Sequence, residues 1–284
     1  MAFKSLLVSL QLLAFGMDLS LGVLLSHNYS TPVDFAVNEA FPHQPLKVVQ
    51  DAKTLEDAVD ELLKAAGPSQ ERMINAIKAA GDKLAKDNYV VYNPGPKSKD
   101  SAMRKSKDSF GSPNRVRQLT DAYRGSIVVE TMDQIEAFGN EEPSEQFKSI
   151  LKGNGFEIVQ FKNTFKKPWT DGYRDLNMRV KDTKNGLVGE VQAHLCAVKK
   201  FTQIVGHRFY EIVREAPENE KAALQKAFDE VSSYGYEEAV KWPELKCLDE
   251  LEKPDGKVPP GKYKKWFPFP SRWPGWRKAP LDTE

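Results

Sequence analysis

Apolar positions recur along this chain with two different periods. Leu55, Ala58, Val59, Leu62 and Leu63 fall at helical spacing, and Met73, Ile74, Ile77, Ala80 and Leu84 do so again. This predicts two helices separated by the breaker Gly67-Pro68. Further helices are predicted over 197–214 and 221–240, and one within 132–151 that Pro143 interrupts. A period of two marks the strands. Arg124-Gly125-Ser126-Ile127-Val128-Val129 is enriched in β-branched residues, and 156–161, 173–180 and 187–194 are strand candidates as well.

Two of these strands sort their side chains by face. Leu176, Met178 and Val180 oppose Tyr173, Asp175 and Asn177; Leu187, Gly189, Val191 and Ala193 oppose Glu190, Gln192 and His194. Such alternation fits a sheet covered on one side and open to a cleft on the other. The polar face of that sheet is the expected place for chemistry.

Composition narrows the setting. The chain has 284 residues, with 41 Lys plus Arg against 40 Asp plus Glu, so its net charge of +1 gives no electrostatic reason to bind DNA. Apolar residues at 40% supply a core that a disordered chain would lack. Two cysteines, Cys196 and Cys247, exclude a disulfide framework or a four-thiolate zinc site; one bridge can form but nothing demands it.

The ends are read separately. Lys4, an apolar stretch through Phe15 and the small residues around Gly16 predict a cleaved signal peptide over 1–22 and a secreted protein, with a buried N-terminal helix and a cytoplasmic protein as the alternative. Gln11, Asp18 and Ser20 interrupt the stretch, so no stable membrane span is expected. Asn28-Tyr29-Ser30 is a glycosylation sequon consistent with export. Residues 23–50 read as a linker or surface strap, 51–245 as the folded domain, and 246–284 as a tail rich in Pro, Trp and Phe. That tail is expected to strap aromatic side chains onto the surface, with a ligand groove or membrane-surface anchor as the alternative.

Chemistry-bearing residues gather in the middle of the chain. Asp121 precedes one strand and Glu190 lies on the polar face of another; carboxylates from two strands that converge on a cleft can hold Mg²⁺, which binds phosphates while keeping much of its water. Taken alone, an Asp before a strand caps a turn. The basic run Pro96-Lys97-Ser98-Lys99 to Arg104-Lys105-Ser106-Lys107 alone is a solvated helix face.

Context comes from Lys162-Asn163-Thr164-Phe165-Lys166-Lys167-Pro168-Trp169-Thr170-Asp171-Gly172-Tyr173-Arg174-Asp175-Leu176-Asn177, followed by Gly189-Glu190-Val191-Gln192. Together with Lys97, Ser101 and Lys105, with Asp121-Ala122-Tyr123-Arg124 and with Gly206-His207-Arg208-Phe209-Tyr210-Glu211, this order of motifs over 97–214 resembles the RelA/SpoT family of alarmone synthetases, in its standalone form. The resemblance implies an α/β (α+β) fold, a nucleotidyltransferase-like mixed β-sheet flanked by helices. It also implies transfer of the β,γ-pyrophosphate of ATP to the 3′-hydroxyl of GDP or GTP, with Mg²⁺ as cofactor.

By that resemblance Asp121 and Glu190 are the catalytic and metal-binding acids; Lys97, Arg104, Lys105 and Arg124 meet ATP; and Lys162, Lys166, Tyr173, Asn177, Gln192 and His194 meet the acceptor. Tyr173 would stack on the acceptor base. His207 is read as structural. The sequence departs from the family pattern at Asn163, Thr164, Trp169 and Asn177 and in the spacing of Arg124 from Asp121, mostly in the acceptor loop. Adenosine nucleotides (ADP or ATP) or a tRNA 3′ end are therefore alternative acceptors for a secreted toxin-like enzyme, and a non-catalytic nucleotide-binding module is a further alternative. No His is followed by Asp, so the hydrolase signature of bifunctional members is absent from the sequence. Homo-oligomerisation is a property of standalone relatives that no interface pattern here decides.

Overall fold

The computed structural model describes residues 42–45, 47, 51–86, 88–109, 113–206, 212–213 and 216–241. The expected signal peptide, the aromatic tail and His207 lie outside the described residues.

One long helix, α1 (Leu55–Leu84), opens the domain where two were expected. Thr54 caps it: its hydroxyl accepts from the Asp57 amide at 3.0 Å while the Asp57 carboxylate accepts from the Thr54 amide at 3.0 Å. Pro68 stands inside this helix without breaking it. A proline in a helix interior costs about 3 kcal/mol. The buried face runs straight through it, from Val59, Leu62 and Ala66 to Met73 and Ile77. Each large apolar side chain buried contributes roughly 1.5–3 kcal/mol, so packing outweighs the local penalty.

Five strands form one mixed sheet in the order β1-β2-β5-β4-β3: β1 (Tyr89–Tyr92), β2 (Arg124–Val129), β3 (Phe156–Asn163), β4 (Leu176–Asp182) and β5 (Val188–Leu195). Only β2 and β5 run parallel; the other pairs are antiparallel. Between them lie α2 (Lys99–Ser109), a 3₁₀ turn (Pro113–Gln118), α3 (Met132–Phe138) and α4 (Glu145–Gly153). The break between α3 and α4 falls at Pro143, as expected. After β5 come α5 (Cys196–Phe201), a π-helical turn (Thr202–Gly206) and α6 (Glu218–Lys241). No described helix is long and apolar enough to cross a membrane.

The α/β architecture and the sorting of faces agree with the sequence pattern. On the covered face α1 approaches so closely that a Cβ at Gly125 would lie 2.8 Å from the tips of Ile74 and Ile77. Met178, Val180, Val191 and Ala193 are buried there with Ile127. The register places Arg124 beside Glu190, Arg179 beside Glu190, and Asn177 beside Gln192 and Lys162, so their side chains share the opposite face.

Three boundaries differ from expectation. Tyr89–Tyr92 is an edge strand that four apolar residues alone did not reveal. The fourth strand begins at Leu176, which leaves Tyr173 and Asp175 in the preceding loop. Within the stretch read as linker, Gln44 is fully buried and hydrogen-bonded into the domain, so the folded unit starts before residue 51. Cys196 is disulfide-bonded; the sequence has one other cysteine, Cys247, outside the described residues.

Candidate functional site

Asp121 sits in the turn between the 3₁₀ segment and β2, and is buried. Lys97 and Lys105 both donate to its Oδ2, at 2.9 and 3.0 Å. Lys97 precedes α2 and is fixed by its own amide, which donates to Ala122 O at 3.0 Å; Lys105 projects from α2. Burial alone would raise the pKa of Asp121, but the charges of Lys105 and Lys97, with their hydrogen bonds, outweigh it and hold the carboxyl at about 2. Oδ1 is buried with no hydrogen-bond partner. Arg104, one position earlier on α2, is exposed, and the ion pairs of Asp121 are with Lys97 and Lys105.

An ionised carboxylate with one oxygen bound by two ammonium groups and the other buried without a partner would fit a hard cation such as Mg²⁺, which could help hold phosphates there. No group of three or more His, Cys, Asp or Glu suited to a metal occurs among the described residues, so a closed all-protein cage is not offered.

Glu190 lies at the same end of the sheet, its amide donating to Tyr123 O at 3.0 Å. Its Oε1 accepts from Arg179 Nη1 at 2.7 Å and from Asn177 Nδ2 at 2.7 Å. Arg179 also donates to Asn177 Oδ1 at 2.7 Å, which closes a three-residue network across β4 and β5. Arg124 is anchored through its backbone: its amide donates to Gln70 Oε1 at 2.8 Å and its carbonyl accepts from Gln70 Nε2 at 2.7 Å. That leaves its side chain on the polar face.

Beside this network lies a second one. Asp175 is buried and accepts from Thr164 Oγ1 (3.0 Å), Gln192 Nε2 (3.0 Å) and Tyr173 Oη (3.3 Å). Burial first, and the charge of Glu190 next, push its carboxyl up to about 6 against the hydrogen bond from Thr164. The Tyr173 ring meets Tyr236 of α6 and His194 of β5 edge to face, with centroids 5.7 and 6.3 Å apart. Gly172, at φ +81°, lets the loop touch α6, because a Cβ there would lie 2.5 Å from Ser233 Cα.

His194, expected to meet the acceptor, lies in the interior beside Tyr173. It is 1% exposed, reaching Tyr173 Oη with Nδ1 at 3.5 Å, and burial pushes its imidazole well below the usual histidine range. The last turn of β5 runs into α5, which places His194 under Tyr173 as a support. Lys166 is exposed and paired with Glu141. Lys162 remains on the polar face, its ammonium 3.4 Å above the ring of Trp169, which is 49% exposed.

Sequence reasoning missed Arg179, Gln70 and Lys199. Arg179 follows Asn177 at the strand period and was within reach of the same alternation rule. Lys199 lies in the apolar-looking run of α5 and gives no linear signal.

No protein-family model and no curated protein matches this chain. Among solved structures, a GTP pyrophosphokinase family protein from Streptococcus pneumoniae is similar at 18% identity and a TM-score of 0.43, covering 66% of this chain and 91% of that one. Small alarmone synthetase 2 from Bacillus subtilis aligns at 15% identity and a TM-score of 0.44, covering 63% of this chain and 94% of its own. Small alarmone synthetase 1 from the same organism, bound to its product pppGpp, aligns at 16% identity and a TM-score of 0.41, covering 63% and 93%.

Proposed function

We propose that this chain is an ATP:nucleotide 3′-pyrophosphotransferase with GDP or GTP as acceptor. The observation that carries the reading is the buried Asp121 carboxylate, pinned by Lys97 and Lys105 at one oxygen and unpaired at the other, at the end of the sheet that also carries Glu190. The order of motifs in the sequence supports it. The acceptor 3′-oxygen attacks the β-phosphorus of ATP, the bond between that phosphorus and the oxygen bridging to the α-phosphate breaks, and AMP leaves.

Charge builds on phosphoryl oxygens in such a transition state, so cations and positioning supply most of the rate. Lys97 and Lys105 are preorganised to transfer their hydrogen bonds from Asp121 to the ATP phosphates. Asp121 would hold Mg²⁺, which offsets charge on the transferring group. Glu190, steadied by Arg179 and Asn177, takes the proton of the 3′-hydroxyl. Tyr173 orients the acceptor base from a loop braced by His194, Asp175 and Tyr236.

A second acceptor class is favoured by one observation: Trp169, half-exposed and paired with Lys162, replaces a lysine of the family pattern and widens the aromatic surface for an adenosine base, free or at a tRNA end. The signal-like N-terminus and the disulfide at Cys196 support an exported form, since disulfides persist in oxidising compartments.

Incubating the full chain with γ-labelled ATP, Mg²⁺ and separately GDP, GTP, ADP or bulk tRNA tests this. Label on a guanosine nucleotide, lost in Asp121→Asn and Glu190→Gln, is the expected result. Label on ADP or tRNA selects the second class; no transfer to any acceptor overturns both.

A further inference from the structure

Among the described residues, neither Arg124 nor Lys199 has an ion-pair partner. The Nε of Arg124 is buried without a hydrogen-bond partner, and its guanidinium forms no ion pair among the described residues. Lys199, from α5, is half-buried, with its ammonium 5.6 Å from the ring centroid of Tyr92 and no ion-pair partner among the described residues. Tyr92 pairs with Ser126, two positions after Arg124 on the same face, and the Arg124 charge acts on Lys199, so both cations lie in one region of the sheet. The nearby anions are otherwise engaged: Glu190 binds Arg179 and Asn177, Asp121 binds Lys97 and Lys105, and Asp175 binds Thr164, Gln192 and Tyr173.

We propose that Arg124 and Lys199 form a phosphate subsite, separate from the Lys97–Lys105 pair, that holds a phosphoryl group of a bound nucleotide. The subsite rests on the reading of this face as a nucleotide site and adds Lys199 to it. Like charges confined in a partly desolvated cleft repel, and an anion bridging them removes that cost. A guanidinium gives directed N–H donors and an ammonium a point charge, a pairing suited to phosphate oxygens. The ammonium of Lys199 is drawn below the usual lysine range by burial, then pulled back up by Asp175, lowered by Arg124 and raised by Glu190; an incoming phosphate favours its charged form.

Calorimetric titration of the full chain with inorganic pyrophosphate and with ATP, at two salt concentrations, tests the subsite in wild type, Lys199→Gln and Lys199→Arg. Lys221→Gln, at the start of α6 where the ammonium pairs with Glu218, is the control for charge alone. Lys199→Gln should weaken binding about tenfold and flatten its salt dependence, while Lys199→Arg restores both. Unchanged pyrophosphate and ATP affinity in Lys199→Gln, or no binding of either probe to wild type, overturns the subsite. Thermal midpoints of the variants separate lost binding from lost fold: weakened binding in a Lys199→Gln protein that melts as wild type supports the subsite. Binding that depends on Lys199 in a protein that transfers no label keeps the subsite and sinks the proposed reaction; transfer with binding indifferent to Lys199 does the reverse.

Discussion

The carboxamide of Gln44 pairs with the peptide of Val188 in both directions, Nε2 donating to its carbonyl at 2.6 Å and Oε1 accepting from its amide at 2.9 Å. The same Nε2 donates to Leu119 O at 2.9 Å, and the Gln44 backbone bonds Arg117. One side chain thus ties the start of β5, two residues before Glu190, to the loop that ends in Asp121. Gln70 does the same for Arg124 at the start of β2. The two parallel strands that carry the site are each held at their first residues by a buried amide.

Gln44→Leu leaves the Val188 and Leu119 groups buried without partners. Each such group costs about 1–3 kcal/mol, so the variant should lose several kcal/mol in urea denaturation. A chain starting at Asp51 should be destabilised at least as much, since it also loses the backbone bonds of Gln44 to Arg117. Equal stability of wild type and Gln44→Leu would show that the pairing is not formed in solution.

Much of the sheet was legible in the sequence because a two-residue period must follow burial of one face: Val191 and Ala193 against Glu190 and Gln192 could face only one way. Asp121, Glu190 and Tyr173 were legible through motif order. The continuous α1 was not, since its stability through Pro68 comes from contacts with β2 that no local rule contains. Gln44 and Gln70 were not, since a side-chain amide bonded to remote backbone leaves no period. Lys199 became visible only once α5 was seen to fold back toward Tyr92.

Asp121 makes acid stability a readout of the site. Its folded pKa, about 2, lies below the unfolded value of 3.8, so its contribution is complete above pH 4 and fades as pH falls through 2. The shift corresponds to about 2 kcal/mol. Denaturation at a series of pH values should show this slope in wild type and not in Asp121→Asn. Lys105→Gln should shrink it, because one of the two stabilising charges is gone.

Asp175 acts with the opposite sign. Its folded pKa of about 6 exceeds the unfolded 3.8, so the folded state holds the extra proton between those values. The stabilisation is present below pH 4 and is lost as pH rises through 6. Asp175→Asn stays neutral throughout; it should match wild type near pH 4 and exceed it above pH 6 by about 3 kcal/mol. A constant difference between the two proteins across pH 4–7 would contradict the raised pKa.

Gly172 sets the distance between the acceptor loop and α6. At φ +81° an alanine costs about 1 kcal/mol in backbone strain, and its Cβ would meet the Ser233 backbone 2.5 Å away, which cannot move as a side-chain tip can. The loop must therefore lift, and Tyr173, the next residue, loses its edge contact with Tyr236. Lys97, Lys105 and Asp121 stand on other elements and keep their bonds. Gly172→Ala should raise KM for the acceptor about tenfold with KM for ATP nearly unchanged. A matched rise in both constants would mean that the loop serves the donor as well, and Tyr173 would then have to be reassigned.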